Sequence, residues 1–171
     1  MQITNRSLVV VGGLLIGLGV LFLALNFVPG WSFGKAWPLI FFLLAAGFIA
    51  PVFLFPMYRQ WIGALFIPGM VMLTLGLIFL YNSMSGDWSV WAYAWLLLIG
   101  AVGLGMMAAG SYSRWSRSVV DVGLWLLLVP LGLFALFGAL FGGPEIKIIA
   151  PVLLLVGGVA LLARSMRRTA A

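Results

Sequence analysis

The chain has 171 residues, of which 65% are hydrophobic and 7% charged, whereas a soluble domain is about half apolar and about a quarter charged. Nine basic and three acidic side chains cannot cover a water-facing surface, so lipid must be the main solvent. The absence of cysteine and histidine removes disulfides, thiolate chemistry, the commonest metal and haem ligands and the usual neutral-pH proton shuttle. No cofactor is expected, and the net charge of +6, scattered between apolar runs, does not form the clustered basic face that nucleic acid requires.

About 20 largely apolar residues are needed to cross the hydrocarbon core as a helix. Such runs occur at 7–27, 37–55, 61–81, 90–109, 119–140 and 144–163. They predict an all-α integral membrane protein with six transmembrane helices, arranged as three sequential helical hairpins in a single polytopic domain over 1–171. The first run follows Arg6 and exceeds the roughly 7 to 15 residues of a signal h-region, so it is expected to be retained. The links at 28–36, 56–60, 82–89, 110–118 and 141–143 are short and make neighbouring helices antiparallel, with both termini on one side.

That side collects Arg6, Arg59, Arg114, Arg117, Arg164, Arg167 and Arg168, and the other holds Lys35 and Lys147 with Asp87 and Glu145. The positive-inside rule therefore places both termini in the cytoplasm, where anionic lipid headgroups add attraction. Trp31, Trp37, Trp88 and Trp91 fall near the outer boundary and Trp61 and Trp115 near the inner one, as interfacial rings prefer. Trp95 and Trp125 lie deeper and read as packing residues.

Each odd-numbered run carries a Leu-Gly pair, Leu18-Gly19, Leu75-Gly76 and Leu131-Gly132, followed by Phe22, Phe79 and Phe134. The offsets of 57 and 56 residues suggest one hairpin used three times, over about 6–57, 58–113 and 114–168. All three units share one membrane orientation, unlike the inverted repeats of many secondary transporters.

A Gly-rich first helix ending in Leu-x-Asn, a short loop and Trp-Pro-Leu-Ile opening the second helix mark residues 12–47, through Gly13, Gly17, Gly19, Phe22, Asn26, Trp37, Pro38, Leu39, Ile40 and Gly47. This stretch resembles the transmembrane region of LiaF-type and LiaI-type bacterial envelope-stress proteins. The later units fit more loosely, with Trp95-Leu-Leu-Leu-Ile and Ala150-Pro151 where the Trp-Pro motif would stand. The resemblance implies a bacterial plasma-membrane protein that binds or restrains a membrane signalling partner. Proteins of that type usually carry an extramembrane domain after the helices, so the resemblance covers the membrane part.

Candidate sites are few. Gly13 to Gly17, Ala101 to Gly105 and Gly105 to Ala109 have the small-residue spacing that lets helix backbones approach in lipid, within the chain or between copies. Asp121 is the one acid adjoining a membrane run on the arginine-rich side and is a candidate proton or cation site. The spacing Ser118-Val-Val-Asp121 fits a capping box better, with Arg117 one turn back. Glu145 after Pro144 suits the first turn of the last helix. Pro68 and Pro130 are expected to kink their helices. Asn26 and Asn82 read as helix terminators, and Met70, Met72, Met106 and Met107 as adaptable packing.

These features favour a non-catalytic scaffold, regulatory or accessory subunit that binds another integral membrane protein, or itself, through its helix faces. The alternative is a small transporter or channel for an apolar or lipid-like substrate, because the runs carry few of the polar groups that line an aqueous path. An intramembrane enzyme fits least, since positioned nucleophiles and bases are missing.

Overall fold

In lipid a run of apolar residues leaves the backbone one local way to pair its own N–H and C=O groups, the helix. The computed structural model describes residues 2–27, 33–143, 147–148, 151–152 and 154–159, and among them the regular structure is helical, with no strand. Of residues 2–7, 10, 21, 24–27 and 33, only the backbone is described.

The helices are α1 (Gln2–Phe27), a short α2 (Phe33–Ala36), α3 (Leu39–Leu54), a short α4 (Arg59–Ile62), α5 (Phe66–Ser85), α6 (Trp91–Ser113) and α7 (Arg117–Phe141). Among the described residues three stretches, Pro56–Ser85, Trp91–Ser113 and Arg117–Phe141, are long and apolar enough to cross a membrane. The 16 residues of α3 reach about 24 Å, short of a hydrocarbon core of about 30 Å. Half of the sixth apolar run, 144–163, lies outside the described residues.

Helix ends follow backbone chemistry and differ from the sequence expectations in three places. Asn82 does not end its helix; α5 continues to Ser85 and is closed by Gly86 at φ 72°, whose N–H donates to the Asn82 carbonyl at 2.9 Å. Only glycine adopts that left-handed conformation without strain. At the next end Arg114 takes φ 56°, and the Trp115 N–H reaches back to the Gly110 carbonyl at 3.0 Å. The expected capping box is shifted as well. Ser116, with extended ψ 148°, precedes α7 without a side-chain cap bond, Ser118 already lies in the first turn, and Asp121 lies on the second turn, half-buried.

Pro68 also acts differently from an interior kink. It occupies the first turn of α5, directly after the tight 3-10 turn Gly63–Leu65. Its missing N–H and its ring oppose an α-helical bond to the carbonyl four residues back, at Ala64, so the chain is overwound there and becomes regular at Phe66. Pro130 does lie inside α7, and Pro51 inside α3.

Neighbours in the chain are neighbours in space and run antiparallel. Gly17 faces Leu43 and Gly47 faces Leu14, joining α1 to α3; Gly69 faces Ile49 and Gly76 faces Phe42, joining α3 to α5. Gly105 lies on the backbone of Ile67 in α5, and Gly103 on the backbone of Gly123 and Leu127 in α7. Two small cores result: Val52, Phe66 and Ala109 near one end, and Ile78, Val90, Tyr93, Ala94, Leu96 and Phe134 near the other. Trp95 and Trp125 were expected to pack inside, but they are 47% and 66% exposed. Trp95 borders an open groove between α6 and α7, and Trp125 lies on an exposed face of α7.

The α6–α7 contact is the least forgiving. A Cβ added at Gly103 would meet the Gly123 carbonyl, Leu127 N at 2.6 Å and Leu126 C at 2.8 Å, all backbone atoms that cannot rotate away. Gly103→Ala is expected to destabilise the protein by about 1–3 kcal/mol, the range for overpacking. Gly132→Ala, with no atom within 4 Å, should be neutral or slightly stabilising. Unfolding midpoints of the purified protein in detergent check both.

Candidate functional site

Among the described residues the side-chain hydrogen bonds cluster at the two ends of the bundle. At the end holding Arg59, Arg114 and Arg117, the Arg59 guanidinium lies over the Tyr112 ring, 4.6 Å from its centroid, and its Nε donates to the Tyr112 carbonyl. The Ser113 hydroxyl donates to the Arg59 carbonyl at 2.7 Å, Trp115 Nε1 to the Gln60 carbonyl at 3.0 Å, and the Tyr112 hydroxyl to the Val52 carbonyl at 2.9 Å. These bonds tie the 56–62 segment to the α6–α7 link. Met57 and Trp61, 81% and 82% exposed, are left facing outward. The antiparallel register places the start of α1, and hence Arg6, at this same end. The Arg6 side chain and all of Arg164, Arg167 and Arg168 lie outside the described residues.

The opposite end is aromatic and carries Lys35, Asp87 and Lys147. Phe79 stacks on Trp91 (5.2 Å, 16°) and touches Trp37 (5.0 Å) and Phe41 (5.2 Å). The Ser83 hydroxyl donates toward the carbonyls of Gly34 and Lys35 at 3.0 and 3.1 Å, pinning α2 to α5. Asp87 Oδ1 accepts from the Ser89 N–H at 2.9 Å and the Ser89 hydroxyl at 2.6 Å, which shapes the entry into α6. Those bonds to the charged form hold the Asp87 carboxyl below its ordinary value of 3.8.

Two polar side chains nearby have no hydrogen-bond partner among the described residues. Asn82 is fully buried with both amide atoms unpaired, and Tyr93 is 5% exposed with its hydroxyl unpaired. Tyr93 packs against Ile78 of α5 and edges Phe134 of α7 at 5.6 Å. It also lines an open groove of about 480 Å³ between α6 and α7, with Ser89, Ala92, Trp95, Leu96, Phe137 and Phe141.

The small-residue motifs divide. Ala101, Gly105 and Ala109 are buried, with Gly105 on α5 and Ala109 in the α3–α5–α6 core. Gly17 is covered by Leu43, whereas Gly13, Gly12 and Gly19 have no atom within 4 Å. The repeated Leu-Gly positions are not equivalent: Gly76 is buried against Phe41 and Phe42, while Gly19 and Gly132 are open. Sequence reasoning missed the second face of α6, where Gly103 and Gly110 meet Gly123 and Val120 of α7. The seven-residue spacing of Gly103 and Gly110 was the available signal. It also missed Tyr93, which no pattern distinguishes from an interfacial tyrosine. Asp121 and Asp87 lie at opposite ends of the bundle, Glu145 lies outside the described residues, and among the described residues no three acids come together.

No family model matches the chain, and neither a curated protein nor a solved structure matches it.

Ser113→Ala removes a part-buried hydrogen bond and is expected to cost about 1 kcal/mol, visible as a lower unfolding midpoint. Asp87 has a depressed pKa, so its stabilising bonds are complete above the ordinary carboxyl value of 3.8 and are lost as pH falls through the lower folded value. Hydrogen exchange of the 85–92 link should accelerate in that acid range, and Asp87→Asn should abolish the step.

Proposed function

We propose that the protein is a multi-pass bacterial plasma-membrane protein with six crossings in three like-oriented hairpins and both termini cytoplasmic. Its role in this reading is that of a non-catalytic scaffold, regulatory or accessory subunit that binds another integral membrane protein. The observation that carries the reading is the bare face of α1. Among the described residues α1 packs on α3 through Leu14 and Gly17, and Gly12, Gly13 and Gly19 face open space between exposed Leu8, Leu15 and Val20. In lipid, open glycines between apolar side chains are where another helix backbone can approach. The resemblance of residues 12–47 to the LiaF-type and LiaI-type membrane region points to the same kind of role. The α6–α7 groove favours a second reading, a carrier of an apolar or lipid-like substrate.

Supporting the orientation, Arg59, Arg114 and Arg117 share one end, opposite Lys35, Asp87 and Lys147. The chain has no native cysteine, so single cysteines report sidedness directly. Ser116→Cys is expected to react with an impermeant maleimide only from the cytoplasmic side, and Ser85→Cys only from outside; the reverse pattern would overturn the orientation.

The binding reading is tested by isolating the tagged protein from its native membrane in a mild detergent or polymer disc and identifying stoichiometric partners by mass spectrometry. One defined membrane protein should be recovered with the wild type and lost with Gly13→Leu or Gly19→Leu, at an unchanged unfolding midpoint. Recovery of the wild type alone would sink the reading and favour the carrier.

A further inference from the structure

The fold holds the side chain of Arg59 in place and leaves its outer edge free. The guanidinium lies on the Tyr112 ring, 4.6 Å from its centroid, and Nε donates to the Tyr112 carbonyl. That ring is itself fixed, because its hydroxyl donates to the Val52 carbonyl at 2.9 Å and Phe53 and Phe66 pack against it at 6.0 and 5.7 Å. The Ser113 hydroxyl fixes the Arg59 backbone through its carbonyl at 2.7 Å. Yet Arg59 is exposed, and the N–H groups of both Nη atoms have no acceptor among the described residues. An arginine fork with an ordered stem can meet two oxygens of an anion with little further loss of side-chain freedom. Arg114 stands beside it, since the Ser113 bond brings the end of α6 onto Arg59. Arg114 closes α6 at φ 56°, where glycine is the relaxed choice. A cation therefore occupies a position at which stability alone favours glycine.

We propose that the corner formed by Arg59 and Arg114 binds one anionic phospholipid, its phosphate oxygens accepting from the Nη atoms of Arg59 and an acyl chain running along Phe53. Phe53 is exposed, lies in the last turn of α3 and packs on the same Tyr112 ring that carries the guanidinium. Hydrocarbon-facing surface thus begins one ring away from the cation. A phospholipid joins phosphate to hydrocarbon over that short span, whereas inorganic phosphate or an acidic peptide would use the charges and leave Phe53 bare. A zwitterionic headgroup offers the same phosphate but brings a cation of its own toward Arg114 and the exposed Arg117 at the start of α7, so a net negative headgroup fits better. The inference rests on the membrane reading of the fold and is independent of the partner-binding reading, because it is measured on the isolated chain.

The test is native mass spectrometry of the delipidated full chain, titrated with phosphatidylglycerol and with phosphatidylcholine of the same acyl chains. One phosphatidylglycerol should bind about fivefold more tightly than phosphatidylcholine, the effect of about one interfacial charge. Arg59→Gln should weaken that phosphatidylglycerol by about tenfold or more, as for loss of a hydrogen bond to a charged group. Arg114→Gly should weaken it by about fivefold while the unfolding midpoint in detergent stays the same or rises, because glycine relaxes the left-handed backbone. Lys35→Gln removes the same charge at the opposite end and should leave the affinity unchanged. Equal binding of the two lipids by the wild type overturns the proposal. Equal weakening by Arg59→Gln and Lys35→Gln overturns it too, because it would show only a general attraction to positive charge. Wild-type affinity in Arg114→Gly does the same, and this variant decides the matter even if Arg59→Gln does not fold.

Discussion

Everything in this fold depends on how closely α6 lets its neighbours approach. Lipid tails are as apolar as leucine, so burying apolar side chains between helices gains little over leaving them in the bilayer; dense packing and short backbone distances must hold the helices together. The α6 helix meets that requirement on two faces at once. Gly105 sits on the Ile67 backbone of α5, with Ala101 and Ala109 one turn to either side. Gly103 sits on the Gly123 backbone of α7, with Gly110 against Val120. Side chains that sit elsewhere, such as Tyr93 on Phe134 and Phe66 beside Tyr112, take their places from those two contacts.

The ends of the bundle are organised by a different force. Where water is present, carbonyls at helix ends need donors, and the Arg59–Tyr112–Ser113–Trp115 cluster supplies them across four chain segments. The aromatic end uses fewer hydrogen bonds and more ring contacts around Phe79, with Asp87 and Ser89 closing the turn into α6. One end is thus a basic, hydrogen-bonded plate and the other an aromatic collar, a division that suits the two unlike faces of a biological membrane.

Against this economy, Asn82 and Tyr93 are conspicuous. In an apolar medium every polar atom is expected to be paired, yet both side chains are buried with polar atoms that find no partner among the described residues. Both belong to the aromatic end, where α5, α6 and α7 converge.

The helical class, the apolar stretches and the separation of arginines from Lys35 and Asp87 were legible in the sequence, because composition and run length report directly on solvent and on backbone pairing. The boundaries were less so: Gly86 and not Asn82 ends α5, and Ser116 and not Ser118 precedes α7, since caps depend on dihedral angles that several polar residues in a row can satisfy. Small-residue spacing singled out Ala101, Gly105 and Ala109, which are buried, and equally Gly13, which is open. A glycine pattern states that close approach is allowed without stating what approaches. By itself, then, the sequence determined how apolar this chain is and that it is helical. Only the tertiary structure decided which glycines are covered, that Trp95 and Trp125 are exposed, and that Tyr93 and Asn82 are buried without partners among the described residues, because each depends on how neighbouring helices rotate about their axes to bring backbones together.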